Sequence, residues 1–99
     1  MPPIDHAPMH LQASAGQALT IELESTPGAG VVWQLPAAPA GCTVSDAGAV
    51  PSGAGVGGSA TQRFVLTCHQ AGERRLRFEH KRPWEAEVRA VQPVVVTVA

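Results

Sequence analysis

An all-β domain, two packed sheets of about seven to eight strands, is predicted from three features of the sequence. Apolar residues recur at every second position in several short segments, the period at which a pleated strand turns one face to a core. Glycine, proline and other turn formers punctuate the chain about every 8–12 residues. No stretch of about ten residues or more places its apolar side chains at helical spacing. The 99 residues are enough for one core and too few for two.

The segments can be justified in order. Residues 1–8, M-P-P-I-D-H-A-P, read as a flexible N-terminal segment, and residues 9–99 as a single domain. Met9 to Ala13 is a weak strand, and Ala15-Gly16 marks a turn. Ala18 to Glu24 alternates cleanly: Leu19, Ile21 and Leu23 fall on one face, Thr20, Glu22 and Glu24 on the other. Val31 to Leu35 is a short β-prone run ended by P-A-A-P-A-G. Cys42 to Ser45 is a brief strand, and Asp46 to Ser59 reads as an irregular loop of small residues. Thr61 to His69 resumes the alternation with Phe64, Leu66 and Cys68 inward. Ala71-Gly72 turns the chain into Glu73 to His80, with Leu76 and Phe78 inward. The last strand runs from about Glu87 to Val98, and Pro93 within it implies a bulge or an edge position, since proline cannot donate to a ladder. Strands of this length and spacing predict an immunoglobulin-like sandwich. The Cys–Trp–Cys order of antibody domains is absent, because Trp33 precedes both cysteines.

Composition narrows the function classes. Net charge is −1 and only 15% of residues are charged, which argues against a polyanionic partner such as nucleic acid. The basic-looking R-R-L-R-F-E-H-K-R dissolves under strand parity, because its outward series Glu73, Arg75, Arg77, Glu79, Lys81 alternates acids with bases. No run approaches the roughly 18 apolar residues of a membrane span. Neither a basic n-region nor an apolar h-region opens the chain, so the expected location is periplasmic or secreted if a leader was removed, and otherwise cytoplasmic. Catalysis is not expected. Cys68 and His69 are neighbours on a strand and point to opposite faces, so they cannot act as nucleophile and base. Asp5, His6 and His10 read as surface residues in a proline-broken segment, so no metal and no cofactor is expected. Cys42 and Cys68 form no C-x-x-C. They are either two buried thiols or a disulfide closing about 25 residues, stabilising by roughly 3 kcal/mol.

Three unusual loops remain. The first is S-T-P-G-A-G-V-V-W, in which Pro27 sets φ and Gly28 and Gly30 allow a compact projecting path. The second, Gly53 to Ala60, is rich enough in glycine to lie close against another backbone. The third is K-R-P-W-E, which carries one of the chain's two tryptophans. Turns of a seven-strand sandwich alternate between its ends, so all three are expected at one tip, where sandwiches present binding loops.

These loops resemble the chagasin-type inhibitors of papain-like cysteine peptidases, whose motifs are N-P-T-T-G followed by an aromatic, G-x-G-G, and R-P-W/F. The matching residues are Thr26-Pro27-Gly28-Ala29-Gly30-Val31, Gly55-Val56-Gly57-Gly58 and Arg82-Pro83-Trp84, in the same order. The first motif departs most: Thr26 stands for Asn, Gly28-Ala29 for Thr-Thr and Val31 for the aromatic. The resemblance covers roughly residues 9 to 98. It implies a monomeric, reversible inhibitor, with a cathepsin L-type or similar peptidase as partner. In that arrangement the first loop covers the catalytic cysteine–histidine pair. The glycine-rich loop lies along the non-primed cleft with Val56 near an apolar subsite. Trp84 packs on the primed side, with Arg82 adding polar contacts. The alternative is a generic immunoglobulin-like adhesion or carbohydrate-binding module, although four aromatic residues are few for a sugar-binding face. A third reading, a structural subunit, would pair through an exposed V-V-V-T-V edge strand.

Overall fold

The computed structural model describes residues 2–51 and 59–99. Eight strands lie among them: β1 (Ile4–Asp5), β2 (Met9–Ala13), β3 (Ala18–Ser25), β4 (Val32–Gln34), β5 (Cys42–Pro51), β6 (Ala60–Cys68), β7 (Gly72–Lys81) and β8 (Ala90–Val98), with a 3₁₀ turn over Pro27–Ala29. One sheet runs β1/β2-β8-β7-β4 and the other β3-β6-β5. The fold is the expected immunoglobulin-like sandwich.

The alternating segments fill the core as their parity requires. Ile21, Leu23, Phe64 and Leu66 from the three-stranded sheet meet Leu76, Phe78, Val94, Val96 and Val98 from the other. Phe64 and Phe78 touch across the sandwich with ring centroids 4.9 Å apart. Each such side chain, fully buried, contributes about 1.5–3 kcal/mol. Polar atoms inside are satisfied: among the described residues no buried side-chain nitrogen or oxygen lacks a partner.

Four expectations need correction. Cys42 opens not a brief strand but a ten-residue one, and the stretch from Asp46 to Pro51 is strand rather than loop. Its residues are exposed and weakly β-prone, so pairing with β6 holds it in place. The register slips between Asp46 and Ala49, where Gly48 takes a left-handed φ of 86° and its N–H bonds the Asp46 carboxylate at 2.8 Å. Second, Pro93 lies in a central strand. It is tolerated because β8's parallel partners lapse there: β1 ends opposite Val91 and β2 begins opposite Val94. The Gln92 side chain fills that gap, donating to the Ala7 carbonyl at 2.9 Å. This placement also removes V-V-V-T-V as a pairing edge, because β8 is hydrogen-bonded on both sides. Third, Gly72 begins β7, so the turn before it is His69 to Ala71. Fourth, the N-terminal segment contains β1, held by the Ile4 N–H on the Arg89 carbonyl and the His6 N–H on the Val91 carbonyl, both 3.0 Å.

Cys42 and Cys68 stand directly opposite each other across β5 and β6, Cα atoms 4.1 Å apart, and are joined as a disulfide. The bond lies at the end of the hairpin remote from Pro51 and Ala60.

Candidate functional site

The first loop is shaped by its own backbone. Thr26 precedes the 3₁₀ turn without a side-chain cap, and Pro27 supplies the φ of its first position. Ala29 N–H reaches the Thr26 carbonyl at 3.0 Å and Gly30 N–H the Pro27 carbonyl at 2.8 Å. Gly30 then takes φ 80°, a left-handed conformation that favours glycine and turns the chain back. Val31 N–H returns to the Thr26 carbonyl at 3.3 Å, closing the loop at its neck. Gly28 and Ala29 are exposed at the crown, while Val31 is buried and faces the core. Of the six residues expected in this loop, Val31 therefore supports the others from within.

Beneath the neck lies a polar cluster. Ser25 is buried and its hydroxyl donates to the Val31 carbonyl at 3.0 Å. That hydroxyl also lies 3.1 Å from His80 Nε2. Because its one proton goes to Val31, the imidazole N–H donates to the serine oxygen. The His80 ring stacks on the Trp33 indole, centroids 4.5 Å apart and planes 22° from parallel. Trp33 is anchored in turn by its Nε1–H on the Glu24 carbonyl at 2.6 Å. The Gln62 side chain bonds both its N–H (2.7 Å) and its carbonyl (3.2 Å). His80 was not singled out by sequence reasoning, yet it continues the inward parity of Leu76 and Phe78, and that parity was the available signal.

The R-P-W turn packs against the first loop. Glu85 N–H closes the turn on the Arg82 carbonyl at 3.0 Å. The Glu85 carboxylate bridges Arg82 at 3.2 Å and Arg89 at 4.0 Å. Arg82 Nε donates to the Ala29 carbonyl at 3.4 Å, which ties the two loops together. Trp84 is 73% exposed, yet the Cη2 edge of its ring would lie only 3.0 Å from a Cβ placed on Gly30. The indole thus leans one edge on the first loop and offers the rest of its surface outward. Gly30→Ala should lower stability by about 1 kcal/mol from the left-handed φ alone. It should also displace the indole, which urea unfolding and a shift in tryptophan emission would register together.

The glycine-rich motif, Gly55, Val56, Gly57 and Gly58, lies outside the described residues. Its flanks are placed. Pro51 pairs with Ala60, and Ala60 pairs with Ser25, the residue that leads into the first loop. The β5–β6 connection therefore re-enters the sandwich beside that loop, having left it one strand further away. Elsewhere, the outward charges of β7 are paired locally, Arg75 with Glu73 at 3.2 Å and Arg77 with Glu79. His6 lies edge-on to Trp33 at 6.0 Å, and no group of three or more metal-binding side chains forms among the described residues.

Comparison with known families identifies the chain. Residues 12–98 match the sequence model described as chagasin family peptidase inhibitor I42, a span that includes all three loops. The chain belongs to the chagasin family. It is a cysteine peptidase inhibitor, not an enzyme. No curated protein matches the chain in sequence. Solved structures share the fold. Amebosin is similar with a TM-score of 0.64 at 22% identity, covering 100% of both chains. The cysteine protease inhibitor EhICP2 from Entamoeba histolytica gives 0.63 at 18% identity, covering 97% of this chain and 92% of that one. PbICP-C, solved in complex with falcipain-2, gives 0.64 at 18% identity, covering 98% and 91%.

Proposed function

We propose that this family member blocks the cleft of a papain-like cysteine peptidase with the tip that carries its first loop and its R-P-W turn. The carrying observation is the joint surface of those two loops: Arg82 on the Ala29 carbonyl, Trp84 leaning on Gly30, and the indole 73% exposed beside them. A large apolar ring left in water at the end of a sandwich gains its stabilisation by packing on a partner. The first loop complements it. Thr26, Pro27, Gly28, Ala29 and Gly30 carry no ionisable side chain, so the crown can cover a thiolate–imidazolium pair without neutralising either member. The amides of Ala29, Gly30 and Val31 are committed within the turn, so the crown is a closed turn and not a substrate-like extended peptide offered for attack. Inhibition is therefore by occlusion and is reversible.

The glycine-rich motif enters the same reading through its flanks: Ala60 pairs with Ser25, and Pro51 pairs with Ala60 on the side away from Ser25. Without side chains, Gly55, Gly57 and Gly58 permit close approach of one backbone to another, with Val56 offered to an apolar subsite. The likeness in fold to EhICP2, and to PbICP-C in its complex with falcipain-2, supports a cysteine peptidase as the partner. The deciding experiment titrates the purified domain against papain and a cathepsin L-type enzyme with a fluorogenic substrate. Stoichiometric loss of activity at nanomolar inhibitor is the expected result. Undiminished activity of several such enzymes at high micromolar inhibitor would refute the reading.

A further inference from the structure

We infer that His80 is a positioning residue for the inhibitory tip: as the neutral imidazole it holds Ser25, and through Ser25 it fixes Val31, where the first loop rejoins the sheet. The inference rests on the proposed role of that loop and adds a control over it. Three contacts carry it. The ring stacks on Trp33 at 4.5 Å, its Nε2 lies 3.1 Å from the Ser25 hydroxyl, and that hydroxyl holds the Val31 carbonyl at 3.0 Å. The crown above has no side-chain bond of its own, since Thr26 makes no cap contact. Arg82 reaches the crown from the neighbouring turn through the Ala29 carbonyl, and the neck is where buried side chains hold the loop to the sandwich. His80 also receives the other loop, because Arg89 N–H donates to its carbonyl at 2.8 Å. One residue therefore touches the roots of both.

The surroundings favour the neutral ring. Burial is the main influence lowering the His80 pKa from 6.5; a backbone hydrogen bond with Val31 opposes it, and the charges of His6 and Arg89 lower it further. Among the described residues, four elements meet the ring. The segment between β1 and β2 brings His6, and the β7–β8 connection brings Arg89. On β4 it meets Trp33, and on β3 it meets Ser25. Its strand neighbours Glu79 and Lys81 belong to the outward series of β7. No carboxylate among these stands ready to compensate an imidazolium. A histidine whose pKa falls on folding adds stability that is present above its unfolded value and is lost as pH drops below about 6.5 towards the folded value. Protonation accordingly favours states in which the slot opens and the neck of the loop is released.

Two variants separate the contacts. His80→Gln can keep an N–H for Ser25 and cannot ionise, whereas His80→Phe keeps the ring on Trp33 and removes the donor. Inhibition constants against one peptidase are measured from pH 7.5 down to 4.5, with unfolding midpoints at each pH, and Trp84→Ala is run in parallel. At pH 7.5 the phenylalanine variant should bind about 5-fold more weakly, the effect of one lost hydrogen bond, and the glutamine variant should stay within about 2-fold of wild type. Wild-type affinity should fall relative to the glutamine variant as the medium acidifies, which also cancels the peptidase's own titration. If all three proteins keep one affinity ratio across the range, or if the phenylalanine variant binds like wild type, His80 does not position the tip. Should Trp84→Ala itself leave inhibition unchanged, the tip reading fails first, so the two failures are told apart.

Discussion

Trp84→Ala weakens inhibition of papain by about 30- to 1,000-fold and leaves the fold standing, the expected cost of about 2–4 kcal/mol for truncating a central aromatic anchor. The structure separates binding from stability at this position. Trp84 is 73% exposed, so little apolar surface returns to water in the free protein when the ring is removed. What the domain loses is an edge contact with Gly30, while Arg82, Glu85 and Arg89 keep the turn closed without it. In a standard interface of about 1,600 Å² the same ring lies under a partner, where its area is desolvated and its two χ angles cost little entropy. Trp84→Phe should recover most of the loss, since a flat ring remains. If the alanine variant melts out while binding per folded molecule is unchanged, the tryptophan is a packed corner and not an anchor.

The two loops differ in how they were legible. R-P-W could be read because proline and tryptophan have unambiguous physical consequences in a turn, and the structure puts that turn beside the first loop, as the alternation of turns between the two ends requires. The first loop was legible as a path, through Pro27 and the φ of 80° at Gly30, but the burial of Val31 was not. That burial follows the parity of Trp33 two residues on, a signal hidden when Val31 is counted with the loop in place of an aromatic.

Similar limits shaped the fold. β3, β6 and β7 declare themselves by clean alternation because each turns one face to the core and one to water. Most of β5 is exposed on both faces, so it carries no alternation, and A-G-A-V-P reads as loop although β6 holds it as strand. β1 is two residues long and depends wholly on β8. Pro93 misled for the opposite reason. The rule against proline in a ladder is sound, but the gap between β1 and β2 that satisfies it comes from two distant segments sharing one strand.

Loss of the Cys42–Cys68 bond should lower stability by about 3 kcal/mol, yet leave inhibition nearly unchanged at neutral pH and 25 °C. The two effects part because of where the bond lies. It spans 26 positions, so in the chain-entropy model its chief action is to restrict the unfolded chain by that loop. In the folded state Cys42 and Cys68 are already directly paired across β5 and β6, and Cys68 is buried in the core, so the sheet retains its register when the bond is cut. The tip lies at the other end of the same hairpin, beyond Pro51 and Ala60. Against a total of about 5–15 kcal/mol for a domain of this kind, 3 kcal/mol is a large share, and it should appear as a lower urea midpoint with a steeper slope, because the released chain unfolds to a more expanded state. The paired variant Cys42→Ala/Cys68→Ala and dithiothreitol-treated wild type should agree to within the small cavity term of the substitutions. Thiol titration in denaturant, without reductant, should find no free sulfhydryl in the untreated protein. Two free thiols per chain, or equal midpoints before and after reduction, would remove the disulfide from the account of stability. A loss of inhibition matching the loss of stability would mean instead that the remote end of the hairpin sets the geometry of the tip.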